Sequence, residues 1–452
     1  MSESDNPSTR TRDQVPVKLA HQKEHRNVWR IAAPLIVSNI TVPLLGMVDT
    51  AVMGHLPDAR FLGAVAIGAT IFSFLFIGFN FLRMGTTGVT AQAHGAGDDD
   101  GIRAGLGQAA LLAVSIGALL ILFQYPLRVA AMWLLSPDAE VLPEASIYFS
   151  IRIWGAPFTL LNFALIGWFI GMQSGRGPLY LMLAINLSNI LLDLLFVVGI
   201  GMTADGVALA SVIAEACGSG LGLWLAARKL RSHPGRWLRQ HLSDRVALKR
   251  LVHVNSNLLV RTLSLMFAFG FLIAQSSRQG QIILAANAVM MQFQYLMAYA
   301  LDGFANAAEA LAGKAIGARD NKAFRKAVRV SLIWSLIVAV IFSLGFLVFG
   351  RGIVNLLTTL TDVREATYLY LPWIIVSPLL SVWSFLYDGV FVGGTRAREM
   401  RNTMLFSVFL IYLPAFYLLQ PLGNNGLWLA FMLFMSARGI SMHYLYKRIR
   451  WC

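Results

Sequence analysis

Long apolar stretches recur along the whole chain and constrain its fold more than any other feature of the sequence. A helix needs about 20 mainly apolar residues to cross a hydrocarbon core about 30 Å thick. Stretches of that length lie at roughly 28–53, 62–88, 104–125, 145–173, 178–199, 206–228, 251–275, 282–312, 329–350, 366–394, 402–421 and 426–446. Because backbone polar groups in lipid must be satisfied internally, the sequence predicts an all-α integral membrane protein with twelve transmembrane helices.

The composition excludes the common soluble classes. Of the 452 residues, 57% are hydrophobic and 13% are charged, which is about half the charged share of a soluble domain. The two cysteines, Cys217 and Cys452, cannot form a disulfide framework or a CxxC metal site. The sequence contains neither a P-loop nor an HExxH motif. We therefore expect no enzyme, no catalytic residues, no metal site and no cofactor, with the lipid bilayer as the surrounding solvent.

The basic residues predict the orientation of the chain. With a cytoplasmic N-terminus, about 27 Lys and Arg fall in cytoplasmic segments and about five fall on the other side. The cytoplasmic ones concentrate at 10–26, 228–250, 314–329, 396–401 and 447–450. By the positive-inside rule, both termini are predicted to be cytoplasmic. This distribution accounts for the net charge of +14, so no nucleic-acid partner is expected.

The sequence contains an internal repeat. AQAHGAGD at 91–98 precedes GKAIGARD at 313–320 by 222 positions. This offset pairs a further set of residues in the two halves: Gly95 with Gly317, Asp98 with Asp320, Gly167 with Gly389, and Gly171 with Gly393. Because six helices separate the copies, both halves begin on the same side of the membrane. The sequence therefore predicts two pseudo-symmetric six-helix bundles related by an axis along the membrane normal.

The repeat and the hydropathy together divide the chain. We expect a cytoplasmic tail at 1–27, an N-lobe of six helices at 28–229 and a basic cytoplasmic linker at 230–247. A C-lobe of six helices at 248–447 and a short cytoplasmic tail at 448–452 follow. Two bundles around a central cleft suit alternating access, which favours a carrier over a channel. A monomer is expected because the pseudo-twofold axis is already internal.

Carboxyl and amide groups inside the first-half spans are candidate functional groups, since polar side chains in hydrocarbon are costly. Asp49 lies in the first predicted helix, after Pro34 and Pro43. A buried carboxyl group can bind a proton near neutral pH, and proline can bend a helix, so a protonation-sensitive bend is predicted there. Asn189 and Asp193 lie on one face of the fifth helix and provide oxygen ligands for a proton network, an ion or a substrate.

The second half holds three acids, Asp302, Glu309 and Asp388, within predicted spans. Asp302 and Glu309 are seven residues apart and therefore share one helix face. Two interpretations remain open. The acids form either a second polar site, for protons or for cationic substrates, or a structural network near the cytoplasmic end beside Lys314 and Arg319.

An acidic run at 98–100 precedes the third predicted helix. One interpretation compares it with the Mg²⁺-binding acidic motifs of membrane prenyltransferases. The simpler one is a solvated helix cap, because acids are favourable at a helix N-terminus. We favour the cap.

Several segments resemble the multidrug and toxic compound extrusion (MATE) family, and most closely its DinF-like branch. They are PLIVSNITVPLLGMVDTAVMGHL at 34–56, GTTGVTAQAHGAGD at 85–98, NLSNILLDLLFVVGIGMTADGVALAS at 186–211, YALDGFANAAEALAGKAIGARD at 299–320 and DGVFVGGTRAREMRN at 388–402. The resemblance implies a bacterial inner-membrane antiporter that exports organic, often cationic or amphiphilic, small molecules without ATP hydrolysis. It also places cation coupling on Asp49, Asn162, Asn189, Asp193 and Ser211.

Two questions stay open at this level. The relatives favour H⁺ as the coupling ion, although oxygen ligands also suit Na⁺. The alternative function is a lipid-intermediate flippase of the same superfamily, which would need several basic residues in the cleft. From the sequence we expect only Arg83, Arg152 and Arg261 to be embedded there. The seventh helix has no acid, which favours coupling in the first lobe.

Overall fold

The computed structural model describes residues 24–41, 58–236 and 245–452, and every regular element within these ranges is helical. The first half contains α1 (24–41), α2 (Ala59–Gly78), α3 (Phe81–Ala96), α4 (Asp99–Leu122), α5 (Gln124–Leu135), α6 (Leu142–Arg152), α7 (Ala156–Gly171), α8 (Arg176–Asp193) and α9 (Ala204–Leu230). The second half contains α10 (Arg245–Arg278), α11 (Gln281–Gly317), α12 (Asn321–Leu357), α13 (Thr361–Gly393), α14 (Ala397–Leu405), α15 (Leu413–Leu419) and α16 (Asn424–Arg448). Two π-helical stretches extend this set: Leu194–Gly199 continues α8, and Phe406–Tyr412 joins α14 to α15.

Ten stretches of the described chain are long and apolar enough to cross a membrane. The first five are Arg60–Ala96, Asp99–Leu122, Leu142–Gly171, Arg176–Gly199 and Ala204–Leu230; the others are Val252–Arg278, Gln281–Gly317, Asn321–Leu357, Thr361–Gly393 and Ala397–Leu422. Helices α1 and α16 are not among these ten stretches, so the number of twelve spans stays a prediction. Several stretches are longer than predicted. The span predicted at 62–88, for example, corresponds to Arg60–Ala96.

Two large apolar cores are present, one centred in each half. In the first half, Phe149, Trp168 and Phe169 are among the largest fully buried side chains. In the second half, Trp428 and Phe431 have the same role. Smaller apolar clusters, in which α1 packs on α11 and the end of α13 packs on α11 and α12, lie apart from these two cores. The core centred in the first half also includes Val254, Leu258 and Phe391 of the second half, so the two bundles share apolar packing.

The repeated glycines mark where the two halves approach most closely. A Cβ atom added to Gly95 would lie 1.9 Å from the carbonyl oxygen of Lys314. One added to Gly317 would lie 2.0 Å from the carbonyl oxygen of Gln92. Gln92 and Lys314 are themselves 222 positions apart, so α3 and α11 make the same contact twice, once in each direction. Only glycine permits backbones to approach this closely.

Each half also contains one member of a pair of equivalent contacts. A Cβ on Gly167 would lie 2.2 Å from the carbonyl oxygen of Arg83, and one on Gly389 would lie 2.1 Å from that of Ala305. Arg83 and Ala305 are also 222 positions apart. The predicted pseudo-symmetry of the two bundles is therefore confirmed at the level of backbone contacts.

We expect that Gly95→Ala and Gly317→Ala will each lower the melting temperature of the detergent-solubilised protein, because the added methyl group forces two backbones apart. Overpacking of this kind costs about 1–3 kcal/mol. The matched controls are Gly220→Ala in α9 and Gly270→Ala in α10, whose added Cβ atoms meet nothing within 4 Å. These controls should melt at or above the wild-type temperature, since alanine favours helix over glycine. Equal melting of all four variants would contradict the close-contact interpretation.

Candidate functional site

A cavity of about 880 Å³ lies between the two halves. Helices α2, α3 and α6–α9 line it from the first half, and α10, α11, α13 and α16 line it from the second. Aromatic rings cover much of its wall: Phe72, Phe76, Tyr148, Phe163, Phe269, Tyr295, Tyr299 and Phe385. A cavity of this size, with an aromatic wall and a few polar groups, is typical of a small-molecule binding site.

The cavity wall contains four guanidinium groups and four carboxyl groups. The arginines are Arg83, Arg152, Arg261 and Arg438, and the acids are Glu215, Asp302, Glu309 and Asp388. If all eight groups are ionised, the wall has no net charge. Each half contributes members of both signs, so the balance depends on the two halves together.

Asp388 joins two arginines from different helices. Its Oδ2 atom accepts a hydrogen bond from Arg438 Nη2 at 2.8 Å and another, shorter one from Arg261 Nη2. Arg261 is 7% exposed and Arg438 is 4% exposed, so both guanidinium groups are buried in the wall. Helices α10, α13 and α16 therefore meet at one carboxylate that faces two positive charges.

Glu309 pairs across the two halves. Its Oε2 atom lies 3.8 Å from Arg83 Nη1, while Oε1 is buried without a hydrogen-bond partner in the described part of the chain. Arg83 also donates to Asn306 Oδ1 at 2.8 Å. Asp302 lines the same wall, two helical turns before Glu309. The structure thus brings the second-half acids to the cavity, where Arg83 rather than Lys314 is the ion-pair partner of Glu309.

Asn189 and Asp193 form a pair on α8. Asn189 Nδ2 donates to Asp193 Oδ2 at 2.8 Å, and both residues are buried. Asn189 lines the cavity, whereas Asp193 has no exposed surface. The π-helical stretch Leu194–Gly199 begins directly after Asp193. Stretches of this kind are common at functional sites.

Asn162 organises a second cluster on the first-half wall. Its Nδ2 donates to Glu215 Oε2 at 2.6 Å, and its Oδ1 accepts from Ser219 Oγ at 3.0 Å. Glu215 Oε1 lies 3.5 Å from Arg152 Nη2. Ser211 lines the cavity one turn before Glu215 on α9. The structure therefore places Asn162, Asn189, Asp193 and Ser211 in the first half, in or directly behind the cavity wall.

The first-helix residues are only partly described. Asp49 and Pro43 lie outside the described residues, and α1 continues as a helix through Pro34. Asn186 Nδ2 donates to Thr41 Oγ1 at 2.7 Å, which links α8 to the last described residue of α1. Asn186 thus connects the helix of the Asn189–Asp193 pair to the helix that precedes Asp49.

Sequence reasoning missed Glu215 and Arg438. The expectation of three embedded arginines was wrong, since Arg438 is a fourth. Both residues lie within predicted spans, at 206–228 and 426–446, and a full charge inside an apolar span was the signal that could have found them.

The acidic run before α4 accepts hydrogen bonds from backbone amides. Asp98 Oδ1 accepts from the Gly101 amide at 2.8 Å, and Asp320 Oδ1, its repeat partner, accepts from the Ala323 amide at 2.9 Å. Asp100 Oδ1 accepts from the Arg236 amide at 2.5 Å. The predicted cap is confirmed, and it occurs in both halves.

Comparison with known proteins identifies close relatives. The MatE family model matches residues 34–195 and 258–418, two segments whose starts are separated by nearly the length of the repeat. DNA damage-inducible protein F of Escherichia coli strain K12 is 42% identical over 428 residues, which are 93% of this chain and 92% of that protein. Multidrug resistance protein MdtK of Edwardsiella ictaluri is 24% identical over 458 residues, 95% of this chain and 96% of that protein.

Solved structures share the fold. A mutant of the Vibrio cholerae MATE transporter VcmN superimposes with a TM-score of 0.86 at 20% identity. The superposition covers 95% of this chain and 98% of that one. The arrangement of two helical bundles is therefore common to this chain and to a solved transporter.

We expect Asn162→Ala to destabilise the protein by about 1–3 kcal/mol, because Glu215 and Ser219 lose their buried amide partner. Thermal unfolding in detergent measures the effect. Ser219→Ala, which removes the bonds from Ser219 Oγ to Asn162 and to the Phe158 carbonyl oxygen but keeps the Asn162–Glu215 bond, is the matched control and should cost less. Melting of Asn162→Ala at the wild-type temperature would show that the cluster does not hold α7 to α9.

Proposed function

The chain belongs to the MatE family, and from this premise we propose that it is a secondary active efflux antiporter for small amphiphilic organic compounds. Family members are transporters and not enzymes. The coupling ion we propose is H⁺, with Na⁺ as the second choice. The lipid bilayer is the working environment, and a monomer in the bacterial inner membrane with both termini cytoplasmic is the proposed state.

The observation that carries this proposal is the cavity between the halves. It is large enough for a drug-sized molecule, and both bundles supply aromatic rings and charged groups to it. Close backbone contacts hold α3 to α11 at Gly95 and Gly317, beyond one end of the cavity lining. A rocking motion that separates those contacts would expose the same cavity to the other side, as alternating access requires.

For coupling we propose the first-half set Asp49, Asn162, Asn189, Asp193 and Ser211. Asp193 supports this because it is fully buried and hydrogen-bonded to Asn189, which itself reaches the cavity. An ionised carboxylate is costly in such a place unless it is paired, so protonation and substrate binding can be linked there. Bending of the first helix at Pro34 and Pro43, driven by Asp49, completes the proposed cycle.

Asp302, Glu309 and Asp388 are proposed as a second polar site. Glu309 pairs with Arg83, and Asp388 pairs with Arg261 and Arg438, which supports a role in balancing charge while a substrate enters or leaves. Proton coupling can supply the work, at about 1.4 kcal/mol per proton and pH unit. Movement of net charge adds roughly 2.3 kcal/mol per 100 mV.

One observation favours the second candidate, a lipid-intermediate flippase. The cavity wall contains four arginines rather than the three expected from the sequence, and such groups can bind an anionic headgroup. Four carboxyl groups in the same wall oppose them. The antiporter therefore remains the first proposal.

The test uses proteoliposomes with norfloxacin and ethidium as probes and an imposed pH gradient. We expect proton-coupled transport in wild type and at least about a tenfold loss in Asp49→Asn and Asp193→Asn, because an amide cannot carry the proton. Asp362→Asn, a change at an exposed acid at the start of α13, is the matched control and should transport normally.

The same assay separates the alternatives. Transport that requires Na⁺ and ignores the pH gradient would replace H⁺ by Na⁺ at the Asp193 site. Coupled transport that survives both asparagine substitutions would contradict the coupling site. Failure of wild type to transport any probe would favour the flippase.

A further inference from the structure

Two buried guanidinium groups in the cavity wall have more donors than acceptors. Arg261 and Arg438 share one strong acceptor, Asp388 Oδ2. Their other hydrogen bonds go to sulfur: Arg261 Nη1 to Met84 Sδ at 3.9 Å, and Arg438 Nη1 to Met435 Sδ at 3.3 Å. Arg261 Nε is buried with no partner among the described residues. Because thioether sulfur is a weak acceptor, most of the donor capacity of this pair is unused.

The nearby acids do not remove this surplus. Glu309 pairs with Arg83, and Asp302 lines the same wall. Three arginines and three acids therefore face each other in this part of the wall. Protonation of any one of these acids gives this part of the wall a net positive charge, because buried guanidinium groups stay protonated.

An apolar surface adjoins the arginine pair. Leu265 and Phe269 lie one and two turns after Arg261 on α10 and line the cavity. Phe385 lies one turn before Asp388, and Met435 lies one turn before Arg438. The helices that bring the guanidinium groups together thus place aromatic and thioether side chains beside them. A ligand with an anionic group attached to a flat apolar body matches both surfaces.

We infer that Arg261 and Arg438 bind the anionic group, a carboxylate or sulfonate, of an amphiphilic substrate whose apolar body lies against Leu265, Phe269 and Phe385. This inference rests on the proposed function and specifies its substrate class. The acids elsewhere in the wall allow a zwitterion, with its cationic end toward Asp302 or Glu309. A purely cationic compound leaves the arginine pair without a new acceptor, and it is the poorer ligand.

The test compares norfloxacin, which has a carboxylate and an ammonium group, with its methyl ester, which keeps only the positive charge. Binding is measured by titration calorimetry to the full-length protein in phosphatidylcholine nanodiscs, which contain no net anionic lipid. We expect wild type to bind norfloxacin at least about tenfold more tightly than the ester, the ratio that one charge-assisted pair supplies. Arg438→Gln should remove most of that preference, because the carboxylate of norfloxacin loses a charged partner that the ester does not use.

Asp388→Asn is a variant that we expect to bind norfloxacin more tightly than wild type does. Removing the competing carboxylate frees both guanidinium groups, so norfloxacin should bind more tightly while ester binding does not improve. Loss of fold cannot produce this result. The matched control is Arg396→Gln, at an arginine outside the cavity lining that pairs with Glu399, and it should bind both ligands as wild type does.

Several results would overturn the anion site. They are equal binding of acid and ester by wild type, an equal loss of both ligands in Arg438→Gln, or weaker norfloxacin binding in Asp388→Asn. If these occur while proton-coupled ethidium export persists, the anion site is wrong and the antiporter stands. If wild type shows the acid preference but no coupled transport, the anion site stands and the antiporter is wrong.

Repeating the titration with phosphatidylglycerol in the nanodiscs identifies the source of the anion. Competition by this lipid would assign the arginine pair to a lipid headgroup. Unchanged norfloxacin binding would assign it to a dissolved amphiphile.

Discussion

The spacing between the two bundles is set by backbone contacts that only glycine permits. Gly95 packs against the carbonyl group of Lys314, and Gly317 packs against that of Gln92. Gln92 Nε2 also donates to the carbonyl oxygen of Gly393 at 2.9 Å, which ties α3 to α13. The halves are held together here, and the cavity lies between them. The volume, the aromatic wall and the paired charges of the site all depend on that fixed approach.

Most charged groups in the cavity wall are paired, and the Arg83–Glu309 pair joins the two halves. Arg83 belongs to α3, while its partners Asn306 and Glu309 belong to α11. Breaking a buried pair by removing one partner costs several kcal/mol, so the other must find a replacement. A proton, an ion or a charged substrate can each provide one. Pairing between halves therefore links the position of the bundles to what occupies the cavity.

The sequence predicted the features that depend on local pattern. The repeat was visible because close backbone approach demands glycine at fixed positions, and the shared face of Asp302 and Glu309 follows from helical spacing. The pairing of Glu215 with Arg152 and of Arg438 with Asp388 could not be read in this way, because each joins helices distant in the chain. Arg438 was assigned no role because basic residues were expected in loops. Asp49 lies outside the described residues, so its role stays a prediction.

The π-helical stretch after Asp193 has a mechanical consequence. A π-turn accommodates one residue more than an α-turn, and one residue corresponds to about 100° of rotation about the helix axis. If Leu194–Gly199 took up α-helical winding, the segment before it would turn relative to the segment after it while remaining helical. Asp193 and Asn189 would turn with it, toward or away from the cavity. The span Arg176–Gly199 thus contains a point, directly after Asp193, about which its two segments can rotate relative to each other.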